Sequence, residues 1–242
     1  MINLEQIANK NIHDLENNPY PGRGIIIGMT PDKENMVQIY WIMGRSANSR
    51  NRIFETNGQN VRTKAYDESK LEDPSLIIYN AARQYKNQHI VTNGDQTDTI
   101  FDFLNIDKTF ENALDTRCFE PDAPNLTPRI SGIIDMDDGS YSYKLSILKS
   151  DHPDQSFPIR QYFTYAAANP GFGHCIHTYE NDGNPIPSFK GEPYTVPLFD
   201  SISENANFYW DLLNEENKVS LLVKYINLSD NRIQIKIKNL HS

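Results

Sequence analysis

The chain has 242 residues, and its 32 acidic side chains outnumber its 23 basic ones, which gives a formal net charge of -9 at pH 7. An acidic surface repels the phosphates of nucleic acids and anionic membranes, so this composition argues against a protein that binds either. No apolar run approaches the roughly 18 residues of a membrane-spanning helix, and we expect no signal peptide from the N-terminal sequence. The composition therefore predicts a soluble, cytoplasmic protein with a single domain over residues 1–242.

The first third of the chain predicts one helix and then a series of strands. Apolar residues recur at helical spacing from Leu4 to Leu15, and Asn17-Asn18-Pro19 ends this helix. The following apolar runs are separated by turn sequences and therefore predict hairpins. The predicted strand pairs are 24–29 with 36–43, 53–55 with 61–65, and 76–82 with 89–92.

Helical spacing returns in the middle of the chain, and strands dominate again after it. The predicted helices are 97–104, capped by Asp95 or Thr97, and 108–114, capped by Asp107. The later elements are strands at 129–136, 140–148, 158–166 and 173–179, a helix at 203–213 capped by Ser203, and a hairpin of 219–226 with 233–237. Short turns between strands predict antiparallel sheets, and the grouped helices favour a layered α+β domain.

The segment 44–52 is the strongest candidate for binding an anion. It contains Arg45, Arg50 and Arg52, with Ser46 beside the first of them. Guanidinium groups bind phosphate oxygens in pairs, and a serine hydroxyl adds a further donor. If the segment is extended, Arg50 and Arg52 project to one face. The alternative, favoured by composition alone, is a solvated loop whose arginines pair with surface carboxylates.

Two glycine-containing turns next to predicted strands offer further candidate ligands. Arg23 lies between two glycines at the start of the strand 24–29, where backbone can approach a ligand closely. Asn93 and Thr97 lie around an Asn-Gly turn that precedes a helix, whose first N–H groups can bind an anion or a carbonyl. A plain tight turn and a helix N-cap are the corresponding structural explanations.

The loop 117–129 is rich in proline and in polar side chains. It places Glu120, Asp122 and Asn125 before Arg129, which opens a predicted strand. Rigid polar loops that are set on strands often carry catalytic groups. A proline-stiffened connection without a chemical role explains the same composition.

Metal binding and covalent catalysis have little support in the sequence. His174 and His177 are three residues apart, so on a strand they face opposite sides, and Cys118 and Cys175 form no zinc or disulfide pattern. The sequence lacks a phosphate-binding P-loop, a dinucleotide fingerprint and a nucleophile elbow. We therefore expect no metal site and no cofactor.

Five short blocks, in the same order along the chain, resemble the archaeal-type inosine monophosphate (IMP) cyclohydrolase family. They are Tyr20-Pro21-Gly22-Arg23-Gly24, Gly44-Arg45-Ser46 through Asn51-Arg52, Ile78-Tyr79-Asn80, Val91-Thr92-Asn93-Gly94 with Thr97-Asp98, and Asn125-Leu126-Thr127-Pro128-Arg129-Ile130. The resemblance covers roughly residues 20–134. The N-terminal helix and the part from Ala166 onward look like features of longer bacterial relatives.

The resemblance implies an αββα sandwich like that of the N-terminal nucleophile hydrolases, without their processed nucleophile. It also implies a homo-oligomer and a nucleotide substrate, the formamidoimidazole carboxamide ribotide, whose second purine ring is closed to give IMP. Tyr79 and Asn93 are expected to contact the formyl and carboxamide groups, and either Glu120 or Asp122 is expected to act as the acid–base partner. Those expected to contact the phosphate and the base are Arg23, Arg45, Ser46, Arg50, Arg52, Asn80, Thr97, Asn125 and Arg129.

Two other functions remain open at this point. A nucleotide-binding protein that has lost the chemistry would keep the same binding residues, so the sequence does not separate it from the enzyme. An amide hydrolase with an internal nucleophile is disfavoured, because neither cysteine lies in a motif with a base.

Overall fold

A computed structural model describes residues 3–71, 74–137, 140–151 and 157–241. Two antiparallel sheets form its centre, and five helices connect or cover them. In chain order the elements are α1 Leu4–Glu16, β1 Gly24–Met29, β2 Asn35–Met43, α2 Ala47–Arg50, β3 Arg52–Asn57, β4 Asn60–Ala65, β5 Asn80–Tyr85, β6 Gln88–Thr92, α3 Gln96–Leu104, α4 Phe110–Leu114, β7 Arg129–Asp135, β8 Tyr143–Ser150, β9 Pro158–Tyr165, β10 Phe172–His177, β11 Tyr194–Pro197, α5 Ile202–Leu212, β12 Lys218–Asn227 and β13 Ile233–Asn239.

Each sheet has a distinct strand order. The first sheet runs β11-β10-β1-β2-β12-β13, and the second runs β3-β4-β5-β6-β7-β8-β9. All strand neighbours in both sheets are antiparallel, as the short turns predict. None of the helices described here is both long and apolar enough to span a membrane.

Three apolar layers hold the sheets and helices together. The layer between the two sheets contains Ile27, Tyr40, Val91 and Leu222. Residues of α1 and α5, such as Leu15, pack with the outer face of the first sheet, and residues of α3 and α4 pack with the outer face of the second. This arrangement of helix, sheet, sheet and helix confirms the layered α+β class.

The structure corrects several predicted boundaries. Residues 76–79 are not part of a strand, because the carbonyl of Pro74 accepts the N–H groups of Ile77 and Ile78 and forms a turn, so β5 starts at Asn80. The cap of α5 is Ser201, whose side chain accepts the N–H of Glu204, and not Ser203.

The predicted cap of the second middle helix was also wrong. α4 is capped by Thr109 in a capping box with Asn112, whereas Asp107 has a positive φ of 56° and lies in the preceding turn. The sequence patterns gave no sign of the four-residue strand β11 or of the short helix α2.

Candidate active site

The candidate site lies at one end of the sandwich, where strands of both sheets begin or end. Gly24 at the start of β1 pairs with Trp41 near the end of β2 and with His177 at the end of β10. In the second sheet, Thr92 at the end of β6 pairs with Ser131 in β7. The fold thereby gathers the ends of segments that are far apart in the sequence.

Two arginines from the predicted set reach the interior at this end. Arg52, the first residue of β3, is only 1% exposed, and its Nε donates to the carbonyl of Ser49 at 2.8 Å. Its two terminal nitrogens are buried without any hydrogen-bond partner in the described chain. Arg23, just before β1, is partly buried, and the described chain offers its guanidinium no ion-pair partner within bonding distance. Burial and the charge of Arg23 lower the pKa of Arg52.

Glu120 brings a carboxyl group to the same place. Its side chain is 4% exposed, and its backbone N–H donates to the carbonyl of Thr127 at 2.9 Å. Burial raises the pKa of Glu120 to about 7, although the neighbouring Arg23, Arg129 and Arg52 act to lower it. This carboxyl therefore exchanges a proton near neutral pH, as a general acid or base requires.

Tyrosine side chains complete the buried surroundings. The hydroxyl groups of Tyr79 and Tyr40 are 2.6 Å apart, and burial raises the pKa of Tyr79. Tyr179 stacks on Tyr20 with ring centres 5.8 Å apart, and its hydroxyl group bonds with that of Thr127. Both phenols remain protonated at neutral pH and can act as hydrogen-bond donors.

We refer to five side chains, Arg23, Arg52, Tyr79, Glu120 and Tyr179, as the central cluster. Electrostatic interactions link its members. Tyr179, Glu120 and Tyr79, together with the adjacent Tyr20, act to raise the pKa of Arg23, and they outweigh the opposing effect of burial. The cluster thus contains two cations and one carboxyl whose proton is easily lost or gained. This balance favours a ligand that carries or develops negative charge.

The loop before β7 presents Glu120 and uses Asp122 to hold its own shape. Both oxygens of the Asp122 carboxylate are occupied by Thr127, one by its backbone N–H at 2.7 Å and the other by its hydroxyl group. Oδ1 of Asn125 accepts the N–H of Ile186 at 3.2 Å and joins the loop to the segment after β10. Of the two carboxylates in this loop, only Glu120 has a side chain that is free to react.

The turn between β6 and α3 is fixed by Asn93. Its amide donates to the carbonyl of Pro128 at 2.9 Å, and its Oδ1 accepts from the N–H of Ile130 and from Gln96. A Cβ at Gly94 would lie 2.6 Å from Nη1 of Arg129, so a larger residue at this position would have to displace the guanidinium group. Asn93 therefore joins the turn to β7, and its side-chain hydrogen bonds are made within the protein.

Arg129 also serves this turn. Its Nη1 donates to Asp95 at 2.6 Å and to Gln96 at 2.8 Å, and Asp95 accepts from Arg117 as well. Because its carboxylate is used in this way, Asp95 stands at the N-cap of α3 without making a side-chain capping bond. Arg129 remains close enough to lower the pKa of Glu120.

The rest of the arginine segment forms the rim of the site. Residues 47–50 form the helix α2 and are not extended, so Arg50 and Arg52 do not project from one strand face. Arg50 donates to the carbonyls of Gly44 and Glu216, and Ser46 caps the helix. Arg45 pairs with Asp182 and lies over the ring of Tyr20, 5.1 Å from its centre.

Two other predicted contacts lie away from the central cluster. The amide of Asn80 donates to Asp98 at 2.9 Å, and Thr97 is buried with its hydroxyl group 2.6 Å from that of Thr92.

The two histidines of β10 do not face each other. His174 bonds with Tyr143 at 2.6 Å, on the opposite face of β10 from His177. Within the described ranges, no group of three His, Cys, Asp or Glu side chains could hold a metal ion.

Sequence reasoning missed the partners of the central cluster. Tyr40 sits in the mostly apolar strand β2, where nothing in the sequence distinguishes it from a core residue. Tyr179 lies in the C-terminal half, which the resembling blocks do not cover. Thr127 and Tyr20 belong to those blocks, and that membership was the only available signal for them.

Comparison with known proteins identifies the family. The model of a family described as IMP cyclohydrolase-like protein matches residues 20–231, which is most of the chain. A search of curated proteins finds no match. The chain belongs to the IMP cyclohydrolase-like family.

Proposed function

We propose that this protein is an IMP cyclohydrolase. It would close the second purine ring of the formamidoimidazole carboxamide ribotide, with loss of water. The observation that carries the proposal is the central cluster, in which Glu120, with a pKa of about 7, lies beside two arginines that have no acidic partner within bonding distance. The family match to residues 20–231 supports the same activity.

The reaction needs proton transfer and stabilisation of negative charge. The carboxamide nitrogen attacks the formyl carbon, and negative charge develops on the formyl oxygen. One proton leaves the carboxamide nitrogen and another leaves the formamido nitrogen, and both depart with the formyl oxygen as water. A carboxamide is a weak nucleophile, so holding it next to the formyl group supplies much of the rate.

We assign the acid–base role to Glu120. In its ionised form it would accept the proton of the attacking nitrogen, and in its protonated form it would return a proton to the departing hydroxyl group. A pKa near the working pH suits both steps. We do not assign this role to Asp122, because Thr127 occupies both of its carboxylate oxygens.

Arg23, Arg52 and Tyr79 would stabilise the charge on the formyl oxygen. Donors held in a buried site act strongly on charge that develops during a reaction, because water does not compete with them. Arg23 is the more open of the two arginines and would contact the substrate first, with Arg52 behind it.

The phosphate would lie at the rim. There Arg45 is 37% exposed and its salt bridge with Asp182 is open to solvent, so a phosphate can replace this weak surface pair. Asn93 and Arg129 would act as positioning residues that hold the turn and the loop on either side of Glu120.

A direct assay tests the proposal. The purified protein is incubated with the formamido ribotide, and ring closure is followed by ultraviolet absorbance for the wild type and for Glu120→Gln. We expect the wild type to accelerate ring closure and Glu120→Gln to lower kcat by ~10²-fold or more. Glu55→Gln, at a half-buried position of β3 outside the central cluster, serves as a control with unchanged kcat. Binding of IMP without acceleration over buffer would instead identify a non-catalytic nucleotide-binding protein.

A further inference from the structure

The helix α1 lies outside the residues matched by the family model and forms one wall of a cavity. Its residues Leu4–Glu16 pack along the edge of the first sheet at β11, where Asn11 donates to the carbonyl of Thr195 at 2.9 Å. Between the helix and the sheet edge is a cavity of about 240 Å³. Its lining includes Asp14, His177, Glu180, Phe189 and Tyr194.

His177, which lines this cavity, has one ring nitrogen without a hydrogen-bond partner in the described residues. The side chain is 5% exposed, and its Nδ1 lies 2.8 Å from the carbonyl oxygen of Tyr179. A carbonyl only accepts hydrogen bonds, so Nδ1 carries the proton and Nε2 keeps its lone pair. Burial lowers the pKa of His177 to about 4, so the ring is neutral at pH 7. In the described chain no donor lies within hydrogen-bond distance of Nε2.

The walls and rim of the cavity also favour a hydrogen-bond donor. Phe189 and Tyr194 stand edge-on to the ring of His177, with centres 4.5 and 5.6 Å away. At the rim, Asp14 uses one carboxylate oxygen for Lys10, and Glu180 uses one for the N–H of Lys190, which leaves one oxygen of each available. Aromatic rings combined with carboxylates form the usual surroundings of a bound organic cation.

We propose that this cavity binds a small primary ammonium ion with a short apolar chain. The ammonium group donates to His177 Nε2 and to the free oxygens of Asp14 and Glu180, and the chain packs against Phe189 and Tyr194. The site is separate from the central cluster, since the side chain of His177 lies on the face of β10 that is covered by α1. Tyr179 joins the two sites, since its carbonyl oxygen accepts from His177 and its hydroxyl group bonds with that of Thr127.

Calorimetric titration with propylammonium chloride tests this site. We expect wild-type protein to bind propylammonium and to bind neither 1-propanol nor sodium propionate at the same concentrations, with sodium chloride as the control for ionic strength. Binding of the alcohol or of propionate with equal affinity would overturn the assignment to a cation.

Paired variants locate the binding. In Asp14→Asn/Glu180→Gln the affinity for propylammonium should fall by roughly tenfold, because two charge-assisted hydrogen bonds are lost. The control Glu5→Gln/Glu16→Gln changes the net charge equally on exposed positions that do not line the cavity, and its affinity should match the wild type. The proposal would be overturned if the affinity for propylammonium fell equally in both double variants, or if it did not fall in Asp14→Asn/Glu180→Gln. All four positions are exposed, and melting temperatures will verify that the variants are folded.

Discussion

Arg52 is buried with its two terminal nitrogens unpaired, an arrangement that disfavours folding, because buried donors without acceptors lose their hydration. Glu120 lies beside it, with a pKa that burial raises to about 7. Groups held in such unfavourable states are typical of binding and catalytic sites, where a ligand relieves the imbalance. Two predictions at the scale of the residue follow from these two side chains.

Replacement of Arg52 should separate stability from activity. In Arg52→Met the buried charge is replaced by an apolar side chain, so we expect the free energy of unfolding to stay equal or to rise, while kcat for ring closure falls by ~10²-fold or more. Urea unfolding and the absorbance assay measure the two quantities. The exposed Arg62→Met is the matched control and should change neither. A loss of stability in Arg52→Met that accounts for its loss of activity would contradict the assignment.

Glu120 should make stability depend on pH. Its pKa is about 7 in the folded protein and near the ordinary 4.5 in the unfolded chain, so the folded state binds the extra proton between these values. The contribution of Glu120 to the free energy of unfolding should therefore be largest below pH 4.5. It should fall by on the order of 3 kcal/mol as the pH rises through 7.

The isosteric Glu120→Gln should lack this component. Urea unfolding of both proteins between pH 4.5 and 8 gives the difference, and identical pH profiles would show that Glu120 titrates normally in the folded state.

Single residues were predictable only in part. Arg23, Arg52 and Tyr79 belong to the resembling sequence blocks, Glu120 was predicted from the polar loop 117–129, and the structure brings these four side chains together. The same blocks contain Asn93, Thr97 and Arg50, whose side chains bond to neighbouring parts of the chain. Whether a polar side chain faces the site or holds a turn depends on backbone geometry that its neighbours in the sequence do not specify.

Among the elements, the loop before β7 is the one that positions the carboxyl group of Glu120. Asp122, Thr127 and Tyr179 form a continuous hydrogen-bonded chain from the loop to the end of the first sheet. The backbone bond from Glu120 to Thr127 closes the loop. The position of Glu120 therefore depends on the hydroxyl group of Thr127.

Removal of this hydroxyl group should disturb the loop. We expect Thr127→Val to lower the free energy of unfolding by about 1–2 kcal/mol, since Asp122 and Tyr179 lose a buried partner. The same change should lower kcat, because Glu120 is no longer held in place. Thr127→Ser keeps the hydroxyl group and should restore most of both quantities. If serine and valine behave alike in the unfolding and activity assays, the hydrogen-bonded chain has no such role.

Element prediction worked best where local signals agreed. The hairpins β1–β2, β7–β8 and β12–β13 are predicted by apolar runs that flank short polar turns, although residues 138 and 139 of the predicted turn 137–139 lie outside the described residues. The prediction of a strand at 76–79 was wrong. Its buried apolar side chains belong to a turn, in which the hydroxyl group of Thr63 donates to the carbonyls of Ile77 and Tyr79. Apolar patterning reports burial, and a buried turn has the same pattern as a strand.

At the scale of the molecule, the layer between the sheets contains polar groups that the proposed reaction does not use. Lys224 in β12 is fully buried, and its Nζ has no hydrogen-bond partner in the described chain. It lies opposite Gln38 in β2, and its charge acts to lower the pKa of His89 in β6. Burial lowers the pKa of Lys224 to about 8. The amine is therefore mostly charged at pH 7 and destabilises the fold.

Replacement of Lys224 should stabilise the whole sandwich. We expect Lys224→Met to raise the free energy of unfolding at pH 7 by on the order of 3 kcal/mol, because the folded pKa of about 8 lies below the ordinary 10.5. As the pH rises from 8 to 10.5, the free energy of unfolding of the wild type should rise toward that of Lys224→Met. Over this range the folded protein has already lost the proton of Lys224, and by pH 10.5 the unfolded chain loses it as well. Urea unfolding at pH 7 and pH 10.5 measures both values, and a less stable Lys224→Met at pH 7 would reveal a partner for the amine.

The net charge of -9 describes the surface of the molecule, whereas the proposed site is a small interior region with an excess of arginine. The central claim is that Glu120 performs the acid–base chemistry of ring closure there. The pH dependence of kcat/KM, which reports the pKa of groups in the free enzyme, tests it most directly, measured on wild type and Glu120→Gln between pH 5 and 9 by absorbance. We predict that wild-type kcat/KM rises through about pH 7 as Glu120 ionises, and that the low residual kcat/KM of Glu120→Gln shows no such rise. A wild-type profile without a step near pH 7, or the same step in Glu120→Gln, would contradict this account.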